Sequence, residues 1–423
     1  MAKPTYQRPR GTYDIIPPDY ETWRWLIETF ERNSLNAGYA RISTPVFESE
    51  QLYTRSVGDD TEVVTKEMYA FEDRSGNRLS LRPEGTAGIV RAYIENGLSN
   101  RPKPVKLYKI EPMFRYDRPQ AGRYRQFYQA GVEVFGSAEP LIDAQVIALA
   151  ARFLRQIGVD FSLQINSIGS AASRKTYIAK LRDYFQPHLK KLPELAQAQL
   201  ASNPLRILDS KDKSLQKLIE GAPQIIDYLD KASAQAFQQV LEHLDHFGIE
   251  YDLNTRLVRG LDYYTGTLFE FWGSHQGMQN AIGGGGRYDG LVEQLGGRAT
   301  PAAGFDLGLE RLIAELQKKP SQIPTQKPQV YLVSIGDDAK AQAFLVEQQL
   351  LDAGISTVCE LTRKNLADQL ARAAKLGVEY ALIIGKKELI DQTVIIKEMA
   401  SSNQEVMPTA KLAAEMARRF SVT

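Results

Sequence analysis

"MFRYDRPQAGRYRQFYQAGVEVFG", residues 113–136, decides how the rest of the chain is read. Its first half crowds Arg115, Arg118, Arg123 and Arg125 into one short hairpin against a single acid, Asp117. Its second half alternates polar and apolar residues, the period of a β-strand. Side chains alternate across a strand, so Tyr128, Ala130, Val132 and Val134 share a face that wants a core. Arg125, Gln129, Gly131 and Glu133 share the other, a polar floor with a glycine gap. Gln129 and Glu133 stand about 13 Å apart at roughly 3.3 Å per residue. A small zwitterionic metabolite with a polar side chain would bridge them with a hydrogen bond at each end. The plain alternative is a solvated edge hairpin. An amide and a carboxylate among aromatic and β-branched neighbours are costly to bury without a partner, which favours a ligand. Four guanidinium groups at the mouth of a strand call for a polyanion.

The whole chain sets the limits. Its 423 residues, 43% hydrophobic and 24% charged, suffice for two or three domains with full cores. With 52 basic against 51 acidic side chains, any polyanion site is local rather than global. Cys359 is the only cysteine, which excludes an internal disulfide framework and a thiolate zinc site. The N-terminal segment is basic but no apolar run follows it, so neither signal peptide nor membrane anchor is expected, and the location expected is cytoplasmic.

Trp23, Leu26, Ile27 and Phe30 recur at helical spacing before Gly38, and a strand-like stretch "YARISTPVFES" follows. Residues 105–135 and 251–290 are rich in β-branched and aromatic residues with glycine turns and predict one antiparallel sheet. Between them, helical periodicity at Tyr177, Leu181, Phe185, Leu215, Ile219, Phe237, Val240 and Leu244 predicts a helical insertion. A proline-rich linker at 317–329 precedes alternating strands and helices, which predict an α/β domain with a mainly parallel sheet. The fold class expected is α+β, with boundaries at 1–169 and 251–320 for the sheet domain, 170–250 for the insertion and 327–423 for the last domain.

Other polar constellations flank the hairpin. "LRPEGTAGIV" sets Glu84 on a turn before a helix, with Thr86 expected as N-cap and the carboxylate free to receive an ammonium group. "LVRGLDYYTGTLFEFW" carries Arg259 and Asp262 ahead of a strand. Tyr263 and Tyr264 are expected on opposite faces, one in the core and one offering its hydroxyl to a pocket. The glycines of "NAIGGGGRYDGL" lack the Lys-Ser or Lys-Thr of a phosphate loop and are expected to let a ligand lie against bare backbone. "AAGFDLGLERL" runs into a helix bearing Arg311. His243 and His246 are three apart but have no third ligand in sight, so no metal site is expected. No G-x-S-x-G nucleophile elbow occurs.

Taken together these stretches resemble the histidyl-tRNA synthetases of bacterial type, within the class II aminoacyl-tRNA synthetases, over nearly the whole chain. Residues 20–48 are similar to the first class motif, 113–136 to the second and "GGRATPAAGFDLGLERL" to the third. "LVRGLDYYTGTLFEF" is similar to a stretch peculiar to the histidine-specific enzymes. The resemblance implies an antiparallel catalytic sheet flanked by helices, a helical insertion, a C-terminal anticodon-binding domain and a homodimer. It implies histidine plus ATP giving histidyl-adenylate and pyrophosphate, then transfer to the 3′ end of tRNA(His), with Mg²⁺ held mainly through ATP.

By the same resemblance Arg115, Arg259 and Arg311 are the catalytic residues. Arg115, Asp117, Arg123, Phe127, Arg259, Gly308 and Arg311 bind ATP. Glu84, Gly85, Thr86, Arg115, Gln129, Glu133, Arg259, Tyr263, Tyr264 and Tyr288 bind histidine, and Gln120 with Arg125 reads the tRNA acceptor end. Two positions depart from the pattern: Asp117 stands where glutamate is usual, and Gly266 where a larger basic residue is common. The last domain carries equal numbers of acidic and basic side chains, so its anticodon role rests on resemblance alone. Two rival functions are a histidine-sensing regulatory subunit of histidine biosynthesis and a tRNA-sensing module of a signalling protein. The C-terminal domain and the full set of arginines speak against the first; the absence of any kinase-like domain speaks against the second.

Overall fold

The computed structural model describes residues 6–58, 61–119, 122–208, 210, 212, 214–273, 281–318, 323, 327–360, 362 and 365–421. The linker expected at 317–329 lies largely outside these residues, as does Gln120. Two compact units form, 1–324 and 325–423.

Among the described residues the first unit has eleven strands: β1 (Ala40–Arg41), β2 (Phe47–Ser49), β3 (Ala70–Glu72), β4 (Arg78–Leu81), β5 (Val105–Phe114), β6 (Gln126–Phe135), β7 (Phe161–Ser167), β8 (Asp252–Leu253), β9 (Thr265–Gly273), β10 (Ala281–Arg287) and β11 (Ala302–Gly308). Eight form one sheet in the order β1-β5-β6-β11-β10-β9-β7-β8, antiparallel except for the outermost pairs β1/β5 and β7/β8. The stretch expected as one strand at 39–49 is divided around Pro45: β1 joins this sheet, and β2 joins a small sheet β2-β4-β3.

Ala130, Val132 and Val134 of β6 face the core beneath the sheet, with Trp23, Leu26 and Phe30 of the helix Asp19–Asn36. That helix starts with Asp19 and Glu21 set against its positive end and is followed by Gly38 at φ +80°. Its Phe30 meets Phe153 edge-on at 5.2 Å. The helices at 171–246 do not close on a core of their own. Tyr177, Leu181 and Phe185 join the cluster that holds Ile89, Val90, Tyr263 and Tyr264, whereas Phe237, Val240 and Leu244 join the core under the sheet.

The second unit holds β12 (Val330–Ser334), β13 (Thr357–Cys359), β14 (Tyr380–Ile384), β15 (Thr393–Glu398) and β16 (Gln404–Pro408) in the order β13-β12-β14-β15-β16. β12 runs parallel to β13 and β14, but β15 and β16 are antiparallel, so the sheet is mixed rather than mainly parallel. Residues 385–392 between β14 and β15 are too few for a parallel crossover, which needs about a dozen.

Candidate active site

β6 and β11 lie side by side at the centre of the large sheet, and each carries a glycine two residues before an acid: Gly131 and Glu133, Gly304 and Asp306. Antiparallel register pairs Glu133 with Gly304 and Asp306 with Gly131, so each carboxylate lies over the other strand's bare backbone. A Cβ at Gly304 would fall 1.9 Å from Glu133 Oε2, and one at Gly131 the same 1.9 Å from Asp306 Oδ1. The glycine gap in the polar face at Gly131 is therefore filled by Asp306. β5 adds Lys109 opposite Gly131, and its ammonium lies 2.7 Å from Asp306 and 3.3 Å from Glu133. Burial works against the Lys109 charge; Asp306 and Glu133 overcome it and hold the ammonium protonated.

Glu133 is fully buried and also accepts hydrogen bonds from the Thr86 hydroxyl at 2.8 Å and the Tyr288 hydroxyl. Thr86 is thus not the N-cap of its helix. The N-cap position is Gly85, which has no side chain to offer; Glu84, one residue earlier, supplies the acceptor, its carboxylate taking the main-chain N–H groups of Thr86 at 2.7 Å and Ala87 at 2.9 Å at the buried start of helix Thr86–Glu95. A carboxylate two positions before the helix reaches forward to its first N–H groups, whereas Thr86, the first helical residue, turns its hydroxyl to Glu133. Burial pushes the Glu84 carboxyl up to about 7, against the pull of the Ala87 N–H and Lys109. An ammonium group arriving beside it would favour its ionised form.

These groups floor a cavity of about 260 Å³. All seven residues assigned to ATP line it: Arg115, Asp117, Arg123, Phe127, Arg259, Gly308 and Arg311. Of those assigned to histidine, Glu84, Arg115, Gln129, Arg259, Tyr263 and Tyr264 line it, whereas Gly85, Thr86, Glu133 and Tyr288 are buried and do not. Both adjacent tyrosines reach the cavity, with ring centroids 4.7 Å apart, because they precede β9 and escape its alternation. Gln129 Oε1 is buried with no protein partner, an acceptor left for a ligand donor.

The cationic wall is crowded. Burial holds the Arg311 guanidinium below its ordinary value, and nearby Arg123 and Arg115 lower it further. Arg115 donates to the Pro83 carbonyl at 2.8 Å and lies 5.5 Å over the Phe127 ring, Arg123 pairs with Asp117 at 2.8 Å, and Arg259 pairs with Glu270. Burial opposes the Arg259 charge, and Glu270 raises it above its usual value. Burial also lifts Glu310 to about 7, although Tyr13 donates to it at 2.7 Å.

Within the glycine run, Gly283 and Gly284 line the cavity, and a Cβ at Gly284 would come 2.9 Å from Arg259 Nη1. Bare backbone there makes room for the arginine. Arg125 is not on the cavity wall; its guanidinium covers the Tyr116 ring at 3.8 Å. Gly266 adopts φ +57°, a left-handed conformation that a residue with a side chain adopts less readily. Sequence reading missed Lys109, Asp306, Glu270 and Glu310. Lys109 had a signal: Val105, Leu107, Lys109, Glu111 and Met113 share one face of β5 and all are buried, with Glu111 paired to Arg82 at 2.7 Å.

Comparison with known proteins gives the family. The family model described as histidyl-tRNA synthetase matches residues 11–312, and one described as anticodon binding domain matches 329–419. A histidine-tRNA ligase of Pelotomaculum thermopropionicum is 45% identical over 402 residues, 95% of either chain. One of Thermosynechococcus vestitus is 46% identical over 411 residues, 97% of this chain and 96% of its own. The crystal structure of apo S. aureus histidyl-tRNA synthetase superposes with a TM-score of 0.82 at 34% identity, covering 98% of this chain and all of that one. With its arginine-walled cavity and both family models matched, the chain belongs to the histidyl-tRNA synthetase family.

Proposed function

We propose that the chain is a histidine-tRNA ligase that joins L-histidine and ATP into histidyl-adenylate with release of pyrophosphate, and then esterifies the 3′ end of tRNA(His). The observation that carries this is the meeting of Arg115, Arg259 and Arg311 around one cavity whose floor holds Glu84, Gln129 and Asp306. In-line attack of a carboxylate on the α-phosphorus gathers negative charge that preorganised guanidinium groups stabilise, so no side-chain nucleophile is needed.

In this reading Arg115 and Arg259 grip the α-phosphate from two sides, and Arg115 also takes the amino-acid carboxylate. Arg123 and Arg311 clamp the γ-phosphate. Phe127 stacks on the adenine, and Asp117 receives its amino group. Glu84, Gln129 and Asp306 take the α-ammonium. Glu133 and Tyr264, with Tyr263 and Tyr288 beside them, recognise the imidazole; Thr86 and Tyr288 already hold the Glu133 carboxylate in place. A site that hydrogen-bonds both ring nitrogens rejects apolar analogues by about 10⁴-fold or more, because its buried polar groups would go unpaired.

Mg²⁺, a hard cation that keeps its waters, would be held mainly through the ATP phosphates and would supply charge neutralisation there. Glu67 on the wall offers carboxylate oxygens to an ion brought in by the nucleotide; among the described residues no group of three His, Cys, Asp or Glu side chains would hold one without it. Arg125 and Gln120 contact the acceptor end of tRNA, and 327–423 binds the anticodon. A homodimer in the cytoplasm is the expected form, supported by exposed Tyr20, Leu35, Val46 and Phe47 along the first motif. No helix among the described residues is long and apolar enough to cross a membrane. The regulatory alternative is not favoured, since relatives named as ligases match end to end. Aminoacylation of purified tRNA(His) with each amino acid tests the reading: histidine alone should be esterified, and no esterification, or charging by another amino acid, would overturn it.

A further inference from the structure

Three residues beyond Arg259 lies Asp262, which does not line the substrate cavity. Its Oδ2 accepts from Arg206 Nη2 at 3.0 Å and its Oδ1 from Asn203 Nδ2 at 3.2 Å. Arg174 Nη1 donates to the Asp262 carbonyl at 2.9 Å, and its Nη2 lies 3.7 Å from Oδ1. From the opposite side the Asp262 N–H donates to the Val57 carbonyl at 3.2 Å. Gly58, at φ +104°, leaves room for the carboxylate: a Cβ there would fall 2.5 Å from Oδ2.

We propose that Asp262 is a positioning residue for adenylate formation: Arg174, Asn203 and Arg206 of the helical segment hold it, and through it fix the loop that presents Arg259, Tyr263 and Tyr264. The inference rests on the functional reading above, in which those three residues meet the α-phosphate and the imidazole. Charge-assisted bonds from two arginines and an amide make a directional anchor. Between Arg259 and the tyrosines the loop has only Gly260, Leu261 and Asp262, so a shift at Asp262 is passed on to all three functional groups. Arg174, Asn203, Arg206 and Asp262 also line an adjoining cavity of about 380 Å³ that shares Arg115, Arg259 and Tyr264 with the substrate site. The helical segment thereby touches the chemistry without contributing a group to it.

The test measures histidine-dependent ATP–pyrophosphate exchange in the full chain and in Asp262→Ala, Asp262→Asn, Arg206→Ala and Asp262→Ala/Arg206→Ala. Misplacing a reacting group by about 1 Å costs on the order of 10²-fold. Asp262→Ala should therefore lower kcat about 10²-fold, with a smaller change in KM for ATP and unchanged circular dichroism. Asp262→Asn, which keeps the Asn203 contact but loses both ion pairs, should fall between Ala and Asp. Arg206→Ala should reproduce part of the loss, and the double variant should be no worse than Asp262→Ala. An unchanged kcat in Asp262→Ala, or multiplicative losses in the double variant, overturns the inference alone. If Asp262→Ala does not fold, Arg206→Ala with a normal kcat overturns it. Lack of exchange in the parent chain overturns the functional reading and this inference with it.

Discussion

In the five-stranded sheet of the second unit, Val330, Leu332, Leu382, Ile384, Val394 and Ile396 fill one face, and Tyr331, Val333, Ala381 and Ile383 the other. In the eight-stranded sheet, one face of the central strands is equally apolar, but the opposite face buries Lys109, Glu133 and, partly, Asp306. Desolvating such charges costs several kcal/mol per ion unless partners are exact in number and direction, and apolar replacements are often neutral or better. The charge retained in the centre of the large sheet is therefore not explained by stability, and the proposed histidine and ATP site gives it a use; the second sheet keeps no such charge in its two apolar clusters.

The sharpest way to break that contrast is Arg259→Ala. Loss of a preorganised donor should lower histidine-dependent pyrophosphate exchange on the order of 10³-fold with the fold intact. Retained exchange would remove Arg259 from the mechanism. Glu133→Ala comes next: it leaves buried Lys109 to Asp306 alone and unpairs the Thr86 and Tyr288 hydroxyls, so stability should fall by about 1–3 kcal/mol in denaturant titration. KM for histidine should rise far more than KM for ATP, and equal changes would mean the pocket is misassigned. In the other sheet, buried Gln369 bonds both main-chain groups of Ser334, at 3.0 and 2.8 Å. Gln369→Ala should cost about 1–3 kcal/mol of stability and leave pyrophosphate exchange unaltered; a drop in exchange would show the two sheets to be coupled.

A fourth test reads pH. Burial raises the folded-state Glu84 carboxyl to about 7 from the 4.5 of an exposed glutamate. Its contribution to stability is thus fully present below about 4.5 and is lost as pH rises through about 7. The unfolding midpoint should fall between those pH values more steeply in the parent than in Glu84→Gln, and parallel curves would place Glu84 in water.

Much of this was legible beforehand for a physical reason. Alternation in 126–135 assigns Ala130, Val132 and Val134 to the core and Gln129 and Glu133 to the other face, since period two admits no third choice. The arginines could be grouped because their motifs are local, although Arg115, Arg259 and Arg311 come from distant stretches. What escaped was pairing between strands. Nothing within "QAGVEV" or "AAGFDL" says that each acid covers the other's glycine; that follows only from register. Lys109 was readable from its parity with Val105 and Leu107 but was hidden by the usual preference of lysine for water. The tyrosine pair failed because β9 begins at Thr265, one residue after the alternation was applied.

The neighbouring of β6 and β11 also sets a schedule for biosynthesis. Residues 126–135 leave the ribosome long before 302–308, and the wall is finished only with Arg311. At roughly 5–20 residues per second the nascent polypeptide spends about 10–35 s with β6 lacking that partner. A charged side chain at Glu133 on that waiting edge disfavours pairing with another copy, so one carboxylate both pairs Lys109 in the finished sheet and discourages self-association before it.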